Sequence, residues 1–264
     1  MQFQTSITLN SRAQMWTEEK RRTVWFLISS ARQNLGIAID PVVASAFVIL
    51  QKYFRGEIDD EYDLFILMAA ALFTSCKASD NFRPVNCIVS ELCRVCNRSK
   101  SPIVRQLIGS HFLNPEDPNI TMQYNDLKLI SAAEVDLLKA NNFSVLVDLP
   151  FSHFERWKQS VIDHFPNQIS PEFLRQCNKV MIDICLLICS YYYLDVPPEV
   201  AAAAAASKSF GNDQWVTSVK EKYGDNVFNL AVQSINIEDS KTVRKPPQRA
   251  PPANIIRPLA VVFV

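Results

Sequence analysis

Apolar residues recur at helical spacing along most of the chain, and the breaks between runs fall on glycine, proline or capping residues. Thr17 ahead of Glu18, Glu19 and Lys20 reads as a helix cap with an acidic first turn. Val24, Leu27, Ile28 and Ala31 then return at helical intervals until Gly36. Asp40-Pro41 predicts a restart, with Asp as cap and Pro at the first helical position. Val43, Ala46, Phe47, Leu50 and Tyr53 line one face of that second helix, and Gly56 closes it. From about Glu61 to Cys76 the chain is apolar nearly all round, and a helix without a wet face belongs at the centre of a bundle. A fourth helix is predicted from Pro84 through Ile88, Leu92 and Val95. A polar stretch with Pro102, Pro115 and Pro118 reads as a loop or short irregular connector. A fifth helix covers about Leu127 to Ala140, with Ile130, Ala133, Leu137 and Leu138 inward.

After Pro150 a second series begins. Phe151, Phe154, Trp157, Val161 and Ile162 suit one helix, ending near Phe165-Pro166. Ser170-Pro171-Glu172 gives a cap, a proline at the first position and an acidic first turn, opening a long helix through Leu174, Val180, Ile184 and Leu187. Pro197-Pro198-Glu199 opens an alanine run, Ala201 to Ala206, whose small side chains let neighbours approach closely. Helices at about Asp213–Tyr223 and Asp225–Ile235 complete the series. From Asp239 the composition turns to proline and arginine, which predicts a flexible tail. The pattern therefore predicts an all-α protein: a segment 1–16, one five-helix group over 17–146, a second over 147–238, and the tail 239–264. Each group has an apolar or alanine-rich helix in its middle.

Composition narrows the function. The 264 residues are 48% hydrophobic and 20% charged, as a globular chain should be. Lys+Arg and Asp+Glu both total 27, so no global positive field exists to grip phosphates, and nucleic-acid binding is disfavoured. No apolar region follows a basic start near the N-terminus, and the longest apolar run, Ile184 to Leu194, is too short to span a bilayer. A soluble intracellular protein, nuclear or cytoplasmic, is expected. The seven cysteines read as buried thiols of a reducing compartment. Cys93-x-x-Cys96 alone has metal-like spacing and lacks a second ligand pair, so no metal is expected. His111, His153 and His164 are scattered, and no phosphate-binding glycine loop or hydrolase motif is present. These features point away from an enzyme and from any cofactor.

Four ordered segments resemble the cyclin family. Ala69 to Lys77 looks like the family's third-helix signature, a small and apolar run ending in lysine. Ala132-Ala133-Glu134-Val135-Asp136-Leu137-Leu138, followed by Asn142-Phe143 and Pro150, is similar to the fifth helix and its exit into the second repeat. Leu35-Gly36 to Phe54 resembles the join of the first and second helices, and Val196 to Ala203 the start of the second repeat's third helix. The resemblance spans about Glu18 to Ile235.

It implies two five-helix cyclin-like repeats and a non-catalytic subunit that binds and activates a cyclin-dependent protein kinase as a heterodimer. Carried over position by position, Lys77 and Glu134 would reach the kinase, with Phe143, Thr74 and Leu138 as small or apolar contacts. The stretch Arg21 to Trp25 stands where many relatives carry Met-Arg-Ala-Ile-Leu. Arg22 keeps the basic residue and Gln51 occupies its usual acidic partner's place, so Val24, Trp25 and Ile28 are expected in the core rather than in a substrate groove. Ala78-Ser79-Asp80 replaces the acidic pair that commonly follows the lysine. The Leu35-Gly36 joint leans towards the transcription-associated cyclins. Two alternatives stay open: a general-transcription-factor-like protein that binds DNA and polymerase, and a diverged scaffold.

Overall fold

The computed structural model describes residues 16–56, 62–99, 101–108, 124–166 and 169–242; the tail 243–264 and the first fifteen residues lie outside it. Eleven α-helices occur among the described residues: α1 (Glu18–Leu35), α2 (Ala44–Arg55), α3 (Leu64–Ala78), α4 (Val85–Arg98), α5 (Pro102–Leu107), α6 (Tyr124–Ala140), α7 (Pro150–His164), α8 (Pro171–Cys189), α9 (Pro198–Phe210), α10 (Gln214–Tyr223) and α11 (Asp225–Thr242). No strand is found among those residues. Two predicted caps do their work: Thr17 Oγ1 accepts the Lys20 N–H and Ser170 Oγ that of Phe173, while Gly36 ends α1 at φ 62°. Asp213, at the predicted start of its helix, also caps it by accepting the Val216 N–H, whereas Asp40 does not cap α2, which begins at Ala44.

Two helices organise the packing. α3 touches α1, α2, α4 and α6; α9 touches α7, α8, α10 and α11. Phe65 to Leu72 are all buried, as a helix enclosed by four neighbours requires. Ala201 to Ala206 are fully buried as well, and their methyl groups are what let four helices crowd around α9. The chain is thus two helical repeats, α1–α6 and α7–α11, as expected from the apolar pattern.

Three local readings change. The proline-marked connector contains the short helix α5, because Pro102 follows Ser101 at the first helical position, where a missing N–H costs nothing. Pro115 and Pro118 of that connector lie outside the described residues. α11 continues past Ile235 to Thr242, since Glu238 is buried against Arg22 of α1. The restart at Asp40 runs through a π-turn, Ile39–Val43, before α2 begins at Ala44.

Asp40 itself faces a cleft of about 1000 Å³ between the α1–α2 joint and α8, which Glu155 of α7 also lines. Burial first, and repulsion from Glu155 second, push its carboxyl up to about 6. The neutral acid is therefore favoured on folding, and the folded chain holds more protons than the unfolded one between about pH 4 and about pH 6. The stability this gives is present at the acid end and lost as pH rises through about 6. Asp40→Asn should raise the melting temperature near pH 7 and flatten its fall over this window. Thermal melts across the window test this; identical pH profiles for the two proteins would refute it.

Candidate functional site

Of the five residues singled out by the sequence, Lys77, Thr74 and Glu134 meet where the last turns of α3 cross α6, while Leu138 follows along α6 and Phe143 lies just past its end. Lys77 sits in the last turn of α3, where a cation suits the negative end of the helix dipole. Its ammonium pairs with Glu134 of α6 and lies 4.4 Å from the centre of the Phe73 ring. Thr74, one turn from Ala70, is buried; its hydroxyl lies 2.9 Å from the Ala70 carbonyl and 3.1 Å from Glu134 Oε1. Thr74, Lys77 and Glu134 thus form a single polar cluster that ties the two helices. The ion pair is graded in exposure: Lys77 is half open to solvent, whereas Glu134 is mostly covered.

Leu138 lies one turn beyond Glu134 on the same side of α6 and is half-buried. Its carbonyl accepts the Phe143 N–H at 2.7 Å, closing the turn that ends the helix. Asn142 and Phe143 both take left-handed conformations, at φ 52° and 56°. Asparagine tolerates that region; phenylalanine rarely does, and holding it there costs on the order of 1–3 kcal/mol. The surroundings enforce the turn: the Asn141 amide donates to Ser144 O, and Lys52 Nζ donates to Asn141 Oδ1 at 2.6 Å. The outcome is an aromatic ring held out in solvent, with Phe143 68% exposed.

Sequence reasoning missed three exposed apolar residues. Phe82 is 59% exposed and packs edge-on against Phe73, 6.2 Å between ring centres, next to Lys77. Val145 and Leu146 follow Phe143 in the extended exit from α6, and Leu146 is 72% exposed. Their only sequence signal is large apolar residues placed in polar connectors, which does not distinguish a loop anchor from an exposed one. Phe82 borders Lys77 through the Phe73 ring, while Phe143, Val145 and Leu146 expose apolar surface at the exit of α6; apolar anchors with a few polar groups are the composition of an interface centre.

The Arg21–Trp25 stretch, within α1, departs from the sequence expectation in part. Arg21, not Arg22, is the inward basic residue: its guanidinium donates to Trp16 O at 2.9 Å and to Cys189 O at 3.2 Å. Gln51 donates to the adjacent carbonyl of Ile188. Val24 and Ile28 are fully buried, as expected, while Trp25 is half-buried with its ring edge-on to Phe47. Cys93 and Cys96 are buried thiols that burial pushes up to about 12, so neither is an available thiolate at neutral pH. Among the described residues no helix is long and apolar enough to cross a membrane.

No family model and no curated protein sequence matches the chain. Solved structures do. A chain in the crystal structure of the yeast RNA Pol II CTD kinase CTDK-1 complex is similar over 93% of this chain and 76% of that one, with a TM-score of 0.62 at 16% identity. A chain in the structure of the CAK complex from Chaetomium thermophilum bound to ATP-gamma-S is similar over 84% of this chain and 62% of that one, with a TM-score of 0.50 at 15% identity. With helices in the predicted order and a central helix in each repeat, this chain has the two-repeat cyclin fold.

Proposed function

We propose that this protein is a non-catalytic regulatory subunit that binds and activates a cyclin-dependent protein kinase through the α3–α6 face. The observation that carries the reading is the backbone at Phe143, which holds an aromatic ring in solvent at the expense of a left-handed conformation, at the exit of the helix that bears Glu134. The turn serves the folded chain by answering the Leu138 carbonyl, but the exposure of a large ring there does not; a partner that covers the ring gains apolar contact.

In this reading Lys77 and Glu134 exchange part of their mutual pairing for hydrogen bonds to the kinase, while Phe143, Leu138, Phe82 and Leu146 supply apolar area. Activation is a population shift: the regulatory subunit binds the kinase's active arrangement better than the inactive one. Holding the kinase's regulatory helix inward completes the lysine–glutamate pair that positions ATP. Likeness to a chain of an RNA Pol II CTD kinase complex and the Leu35-Gly36 joint support a transcription-linked, nuclear role. A formal net charge of zero speaks against the promoter-DNA alternative.

The test is affinity capture from an extract of the native cell, with Phe143→Asp as the control. Phe143 makes little internal contact, so the variant should keep its melting temperature and lose at least about tenfold in captured kinase, as a central aromatic anchor does. Absence of any kinase, or equal capture by both proteins, would sink the reading.

A further inference from the structure

A second concave site, of about 610 Å³, lies in the second repeat between α7, the start of α9 and α10. Its floor is aromatic: Trp157 stacks on Trp215 with ring centres 5.6 Å apart and planes 23° from parallel. The Trp157 indole N–H is fixed by Asp213 Oδ2 at 2.7 Å. The lining carries Arg156, His153, Lys222 and Ser160, with Glu199 as its acid.

The cations are arranged unequally. Lys222 Nζ and the Tyr223 hydroxyl both donate to Glu199 Oε2, at 2.7 and 2.9 Å, and these bonds, the Lys222 one foremost, lower the Glu199 pKa. Glu199 is therefore a carboxylate whose charge is already answered. Arg156 is not answered in this way. Its Nε donates to Ser152 O at 3.3 Å and its Nη2 to His153 Nδ1 at 2.9 Å, both neutral acceptors. Arginine always donates, so His153 Nδ1 carries no proton, and its Nε2–H points to the Asp148 carboxylate at 3.1 and 3.2 Å. The line Asp148–His153–Arg156 thus orients a guanidinium with three of its five N–H donors still open.

We propose that this pocket docks a phosphorylated segment of a partner protein, its phosphoryl group on Arg156 with Lys222 and the Ser160 hydroxyl as further donors. The residue beside the phosphorylated one lies on the Trp157–Trp215 floor. A tetrahedral group offers three acceptor oxygens to three donors from two helices, where a carboxylate offers two. A flat apolar neighbour suits Trp215 and the rim of Trp157, whose ring already stacks on Phe154 and Trp215. Arg156 offers one guanidinium with open donors, whereas a nucleic-acid backbone needs a run of phosphate contacts, so the site suits a single phosphoryl group. The inference is independent of the α3–α6 face and of whether a kinase binds there.

The indoles of the floor report on their own pocket. The full-length protein is titrated with a capped phosphoserine–proline tetrapeptide, its unphosphorylated twin and inorganic phosphate, following tryptophan emission. The phosphopeptide should give a saturable change that the twin does not, and inorganic phosphate should bind more weakly. Arg156→Ala should weaken phosphopeptide binding about tenfold or more with an unchanged melting temperature, and Arg156→Lys should fall between. The proposal is overturned by the absence of a saturable response, by equal binding of the twin, by equal affinity for phosphate alone, or by an unaltered Arg156→Ala titration.

Discussion

Replacing Lys77 and Glu134 together with alanine is expected to abolish kinase capture while leaving the chain folded. The two effects separate because the ion pair is half open to solvent on the lysine side. Exposed pairs contribute about 0.2–1 kcal/mol to stability. Thr74 retains the Ala70 carbonyl as acceptor when Glu134 goes, so no buried hydroxyl is stranded. In a complex both groups would be desolvated and hydrogen-bonded to the kinase, where each truncation costs about 2 kcal/mol, so the pair together should weaken binding by about a thousandfold. Glu134→Ala alone should be the more damaging single change, since it releases Lys77 as well. The charge swap Lys77→Glu/Glu134→Lys separates the two roles the pair could play. It preserves an internal ion pair, so a brace would survive it; a partner-facing pair would present inverted charge and lose the kinase. Capture of the double-alanine variant at the wild-type level, with matching circular-dichroism melts, would assign the pair to packing.

Much of the fold was written where side-chain size and caps act locally. The apolar run Phe65–Phe73 and the alanines 201–206 announce the two central helices because a helix with no wet face has one possible place. Thr17 and Ser170 announce helix starts because each satisfies a backbone N–H three residues on. The end of α11 was illegible for the opposite reason: what holds Glu238 is Arg22, more than two hundred residues away. The site divided along the same line. Lys77, Glu134 and Thr74 could be named by resemblance, and the structure brings them together. Phe82 and Leu146 could not, because exposure of a loop residue depends on where two distant helices end. Arg21 and Arg22 are adjacent arginines with no local mark to say which one turns inward. Only the approach of α8 decides it.

That approach makes Arg21 the residue whose loss should harm stability most among the polar ones. It is 5% exposed and spans the repeats, from the chain before α1 to the last carbonyl of α8. Burial lowers its pKa, while Glu238 is the foremost of the charges that oppose this. The Tyr191 ring also lies 5.4 Å from the guanidinium carbon. Helix ends leave carbonyls without partners, and at the end of α8 they are answered by Gln51 on Ile188 and Arg21 on Cys189. Arg21→Met keeps the aliphatic stem and removes only the donors, leaving two buried carbonyls unsatisfied at about 1–3 kcal/mol each. A loss of about 3 kcal/mol corresponds to roughly 6–12 °C in melting temperature for a chain of about this size. Because the lost bond to Cys189 joins the repeats, denaturant unfolding should also become less cooperative. Arg55→Ala supplies the contrast: its paired bonds to Asp195, at 2.7 and 2.9 Å, also join the repeats but lie at the surface, so the change should cost under about 1 kcal/mol. If Arg21→Met and Arg55→Ala melt alike, the repeats are held by apolar contact alone and the carbonyls of α8 find water instead.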